Sequence, residues 1–138
     1  MRRQLLLIVL AASACLAQSG RPPGMSYAVE NPPQPQIEVR QIRGKAIDRM
    51  NMAIPLVQLG LYTATGPHKL LAIAATGEHG KFDFGHELPP GKYRLIARYP
   101  GLCTANIPVD LSRHGSGKKI ALHMVFPGLG GCSYAVLR

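Results

Sequence analysis

The chain has 138 residues, enough for one domain of ordinary size and too few for two. Sixteen Lys+Arg against seven Asp+Glu give a formal charge of +9. Three cysteines and five histidines, none clustered, exclude the closely spaced ligand sets of a structural zinc site.

Residues 1–17 read as an export signal. Arg2 and Arg3 precede an apolar run from Leu5 to Ala12 (LLLIVLAA), and small residues then lead to a cut after Ala17. Eight apolar residues are too few to span a bilayer core of roughly 30 Å as a helix. The run Ala12-Ser13-Ala14-Cys15 is also similar to the bacterial lipoprotein box, although that pattern prefers Leu where Ala12 stands. Lipidation of Cys15 would tether the domain to a membrane surface without spanning it. Loss of Arg2 and Arg3 with the signal lowers the formal charge from +9 to +7.

An exported chain shifts the reading of its other groups. Outside a cell, a basic protein meets anionic glycans, lipid head groups or acidic proteins, and nucleic acid leaves the field. Cys103 and Cys132 remain as a pair in an oxidising setting, which favours a disulfide, with two buried free thiols as the alternative.

Residues 18–36 (QSGRPPGMSYAVENPPQPQ) are rich in Pro, Gly, Gln and Ser and lack an apolar period, so they read as an extended or disordered tether. From Ile37 to Arg138 the period becomes two. Strands are expected near 37–48, 55–63, 69–76, 80–85, 92–99, 105–111 and 118–126, with an eighth short one at 133–137. Val57, Leu59 and Leu61, then Leu71, Ile73 and Ala75, then Phe82 and Phe84 are assigned to inward faces. So are Tyr93, Leu95, Ala97 and Tyr99, then Ile107, Val109 and Leu111, then Ile120, Leu122, Met124 and Phe126. Turn signals separate the runs at Asp48–Asn51, Gly66-Pro67, Gly77–Gly80, Pro89-Pro90-Gly91, Pro100-Gly101 and Gly115–Gly117. No helical period with caps follows the signal. About a hundred residues of short strands predict an all-β, two-sheet sandwich of transthyretin or immunoglobulin type, with seven or eight strands.

The order Ile42-x-Gly44-x-Ala46-x-Asp48, Pro55-x-Val57-x-Leu59, Gly80-x-Phe82-x-Phe84 and Leu88-Pro89-Pro90-Gly91-x-Tyr93-x-Leu95 resembles the carboxypeptidase regulatory-like domain over roughly residues 37–111. The resemblance implies a transthyretin-like (prealbumin-like) sandwich and a non-catalytic accessory role in folding, spacing or recognition. Residues 112–138 carry no motif of that family. Within the matched stretch, Gly80 is expected to turn the chain into its strand and Gly91 to tolerate a positive φ. Tyr93 is expected to pack inward with its hydroxyl reaching a backbone group at the corner.

Candidate chemistry is sparse. His79 and His86 bracket one short strand, too far apart for one metal, and the neighbours His86 and Glu87 point to opposite faces. His123, out of phase with Ile120, Leu122 and Met124, is expected at the surface. No G-x-S-x-G is present, and Ser26, Ser112, Ser116 and Ser133 lie in turn or tether contexts. The transthyretin-like hydrolases end in Tyr-Arg-Gly-Ser, whereas this chain ends Tyr134-Ala-Val-Leu-Arg138. No catalytic residue, metal ligand or cofactor motif is therefore assigned.

Two functions remain. One is an exported module binding a protein or an anionic envelope glycan, with Lys92, Arg94 and Arg98 on the polar face of one strand as the candidate anion surface. The other is a small hydrolase or metal-dependent enzyme using loop histidines. The scatter of Arg40, Arg43, Lys45, Arg49, Arg113, Lys118 and Lys119 along the chain fits solvated faces more readily than a single stripe.

Overall fold

A computed structural model describes residues 34–128 and 131–138. The segment read as an export signal, Cys15 and most of the segment read as a tether lie outside the described residues. Among the described residues the structure is all-β, with nine strands and no helix. They are β1 (Ile37–Val39), β2 (Arg43–Ile47), β3 (Gln58–Thr63), β4 (Leu70–Ala75), β5 (Lys81–Asp83), β6 (Gly91–Arg98), β7 (Ala105–Leu111), β8 (Ile120–His123) and β9 (Tyr134–Leu137). A five-stranded sheet runs β1-β7-β6-β3-β4, and a four-stranded sheet runs β5-β2-β8-β9.

The segment expected as one strand over 37–48 is two strands. β1 pairs in parallel with β7 of the first sheet, and β2 in parallel with β8 of the second. Between them the chain crosses from sheet to sheet at Arg40–Ile42, with Ile42 fully buried between the layers. Ser112 N–H donates to Val39 O and Arg40 N–H to Ser116 O, so the β7–β8 loop holds the start of the crossover, and Phe84 N–H donates to Ile42 O at its end. Near the end of the segment read as a tether, Gln34 N–H donates to Asn106 O on β7.

Inward side chains of both sheets form one core: Leu59, Leu61, Leu95, Ile107 and Val109 from the larger sheet, Ala46, Phe82, Ile120 and Leu122 from the smaller, and Met124 just beyond it. Two expected core assignments are overturned. In β4 the inward residues are Ala72 and Ala74, while Leu71 and Ile73 are 44% and 54% exposed and Ala75 is exposed with them. Pairing decides this, because Ala72 lies opposite core Leu61 and Ile73 opposite outward Gly60. Phe126 is 60% exposed, since β8 stops at His123 and the chain turns away after Met124.

The Pro89–Gly91 corner does what was expected of it. Tyr93 is buried and its hydroxyl donates to Pro89 O. Burial raises the phenol pKa, which keeps the group a proton donor. Gly80 has φ 70°, and an added Cβ would sit 2.6 Å from Ala46 O, so glycine is required there twice over. Gly91 also has the positive φ expected of it, at 154°, where an added Cβ would meet no neighbour but the backbone would be strained.

Strand direction sorts the loops to two ends. One end gathers the β1–β2 crossover, the β3–β4 turn and the β5–β6 and β7–β8 loops. The other gathers the β2–β3, β4–β5, β6–β7 and β8–β9 connections. At this second end Met50, Met52, Leu56 and Phe126 are exposed, and Asp48 shapes the β2–β3 loop by accepting from Met50 and Met52 N–H, each at 2.8 Å.

Candidate functional site

The sequence scatter of basic residues conceals a cluster in space. Gly44 and Ala46 of β2 face the core, so Arg43 and Lys45 project from the outer face of the four-stranded sheet. Lys81 and Asp83 flank core Phe82 on β5 and share that face. β2 and β5 are antiparallel with Lys45 directly opposite Lys81 and Arg43 opposite Asp83. Across the sheet, Lys119 and Arg138 exchange both backbone hydrogen bonds, at 2.8 and 2.9 Å, which places their backbones opposite one another while the Arg138 guanidinium reaches along the sheet to His123.

Like charges directly opposite on one sheet face destabilise the pair unless a counter-charge lies between them. Adjacent strands are about 4.8 Å apart, close enough for two ammonium groups to share one anionic group. Asp83 is the only acid among the outward residues described on this face, and its Oδ1 already accepts from Gly85 N–H at 2.7 Å. Lys45, Lys81 and Lys119 are exposed.

The face runs into a groove at the crossover end. Arg40, Arg43 and Arg113 line it with Gln41, His86 and Ser112, around a volume of about 330 Å³. Arg40 is aimed by its own fold position, because Nε donates to Gly115 O at 2.8 Å. Gly115 packs against the end of β1, where an added Cβ would come within 2.5 Å of the Val39 carbonyl carbon. The Gln41 side-chain amide meets the His86 ring, which fixes the β5–β6 loop against the crossover. Three guanidinium groups around one groove suit planar, doubly hydrogen-bonded recognition of carboxylate, sulfate or phosphate.

Lys92, Arg94 and Arg98 lie elsewhere, on the outer face of the five-stranded sheet. Lys92 is exposed and stands opposite Asp110 in the β6–β7 register. Arg94 and Arg98 are half-buried beside Ile96, and Arg94 Nε and Nη1 are buried without a hydrogen-bond partner. These three do not join the groove.

The histidines are dispersed. His68 lies in the β3–β4 turn with Nδ1 2.9 Å from Thr63 O, His79 in the β4–β5 turn, and His86 in the groove wall. His114 lies in the β7–β8 loop. Among the described residues no three His, Cys, Asp or Glu side chains are grouped to hold a metal ion. His123, expected at the surface, is only 8% exposed. It sits on an inner strand of its sheet, stacked on the Tyr134 ring at 4.7 Å with the planes 4° apart, and Arg138 Nη2 lies 3.5 Å from Nε2.

Cys103 and Cys132 form a disulfide with Cα atoms 5.4 Å apart. Ser133, beside it, is fully buried and acts as a brace. Its hydroxyl donates to Cys103 O at 2.5 Å and accepts from Val125 N–H at 3.0 Å.

The alternation of β2 and β5 was visible in the sequence, so the outward phase of Arg43, Lys45 and Lys81 was available there. What no local pattern carries is the pairing that sets β2 between β5 and β8, or the crossover that brings Arg40 beside Arg113. No protein-family model matches the chain, and no curated protein matches it.

Proposed function

We propose that the chain is an exported, non-catalytic binding module that holds an anionic glycan along the groove and the outer face of the four-stranded sheet. The observation that carries this reading is the convergence of Arg40, Arg43 and Arg113 around one groove, continued by Lys45, Lys81 and Lys119 with a single acid among them. The resemblance of residues 37–111 to carboxypeptidase regulatory-like domains supports an accessory role, and the signal-like N-terminus supports a site of action at the cell envelope.

A glycan suits the surface better than an acidic protein does. Protein interfaces carry an apolar, charge-depleted centre, whereas the large apolar side chains exposed here lie at the opposite end or on β4, apart from Tyr134. A flat row of cations instead matches a linear polymer bearing carboxylate or sulfate at each unit.

Calorimetric titration with polygalacturonate and with dextran sulfate tests the reading. Binding is expected to weaken steeply as salt rises, because exposed charges are screened within about 8 Å at physiological ionic strength. Replacing Lys45, Lys81 and Lys119 together by Gln is expected to cost at least about tenfold in affinity, or roughly 1.4 kcal/mol. Lys92→Gln serves as the control and is expected to bind as the parent does. Equal binding by the triple variant, or tighter binding to polyglutamate than to either polysaccharide, would overturn the glycan reading.

A further inference from the structure

The four sheet edges are not protected alike. β1 has three residues and carries Glu38; β5 has three and carries Lys81 and Asp83; β9 has four and leads into Arg138. Short length and charge are the usual devices that stop an edge from pairing with another chain. β4 has neither. Its six residues, Leu70-Leu-Ala-Ile-Ala-Ala75, contain no charge and no proline.

β4 forms a ladder with β3 alone, so one side of its backbone is open. The β3–β4 ladder shifts register between Leu61 and Tyr62, which places the irregularity near Leu70 and Leu71 and leaves Ala72 to Ala75 regular. Leu71 and Ile73 stand outward and exposed, while inward Ala72 and Ala74 carry no bulk that would obstruct an approaching strand.

We infer that β4 is a self-association edge, and that two copies pair β4 to β4 in antiparallel fashion about a two-fold axis near Ile73. The self-complementarity of the segment argues for a second copy as the occupant. In that arrangement Ile73 faces its own symmetry mate on the outer face and Ala72 faces Ala74 of the other copy on the inner one, so within the regular stretch each cross-strand contact is apolar and none brings like charges together. The two five-stranded sheets become one of ten strands. Six residues a side fall well short of the roughly 20–30 of a standard stable interface, so the dimer is reversible rather than permanent.

Sedimentation of the purified protein from low-micromolar to near-millimolar concentration reads this directly, without any anion present. The weight-average mass is expected to rise toward twice the monomer value. Ile73→Lys sets two ammonium groups face to face at the axis and is expected to remain at monomer mass over the same range. Ile73 is more than half exposed, so the variant should fold, which unchanged far-ultraviolet circular dichroism and melting at low concentration would verify. A parent protein that stays monomeric throughout overturns the inference. So does an Ile73→Lys variant that still doubles in mass.

Discussion

A buried imidazole between a phenol ring and a guanidinium gives His123 a definite part in stability. Burial disfavours its charged form, and the nearby Arg138 repels that charge, so its pKa in the folded chain lies below the ordinary value of 6.5. Above that value the ring is neutral in both folded and unfolded chains and titration contributes nothing. As pH falls through 6.5, the unfolded chain takes up a proton that the folded chain resists, and stability is lost down to the folded pKa. The melting temperature is therefore expected to drop as pH falls below about 6.5, and His123→Gln to flatten that part of the profile. An unchanged slope in the variant would assign the dependence to another group. The same residue shows where local pattern misleads. Its phase in the strand does point away from the core, as expected, but an outward position beside Tyr134 and Arg138 on an inner strand is not an exposed one.

At the scale of elements, closeness between strands decides more than propensity. Gly44 lies opposite Ile120 in the parallel β2–β8 pair, and an added Cβ would fall 1.8 Å from the Ile120 carbonyl oxygen. That oxygen belongs to the backbone of an inner strand and cannot swing aside. Gly44→Ala is expected to force β2 and β8 apart and destabilise the protein by roughly 1–3 kcal/mol, the range of overpacked cores. Chemical denaturation checks this, with Gly117→Ala as a comparison at a site where an added Cβ meets nothing. Strand positions and the corner at Pro89–Tyr93 were legible in the sequence because alternation and turn residues are local signals. The split of 37–48 into two strands was not, since Glu38, Arg40 and Gln41 alternate with Val39 and Ile42 only loosely and nothing at Arg40 marks a change of sheet. In β4 both alternating sets are apolar, so the period could not choose between Leu71 with Ile73 and Ala72 with Ala74; only the register against β3 did. The groove was hidden for the same reason, because Arg40, His86 and Arg113 meet through the crossover and two loops.

For the whole molecule, the placement of the groove and the disulfide at opposite ends sets what each bond is expected to protect. Cys103 precedes β7 of the larger sheet and Cys132 precedes β9 of the smaller, so the disulfide links the two layers at the end remote from the groove. Cys103 N–H also donates to Val125 O at 2.7 Å, and Ser133 braces the same junction. The bridge closes a loop with a sequence separation of 29 residues. In the chain-entropy model such a loop restricts the unfolded state by roughly 3–4 kcal/mol. Against a total stability of about 5–15 kcal/mol for a domain, that is a large share. Replacing both cysteines by Ser is expected to lower the denaturant midpoint accordingly. The groove is built from Arg40, Arg43 and Arg113 at the other end, held by the Arg40–Gly115 and Gln41–His86 contacts. Binding of polygalacturonate by the folded fraction of that variant should therefore match the parent under native conditions. A loss of affinity in fully folded variant would show that the two ends are coupled through the core.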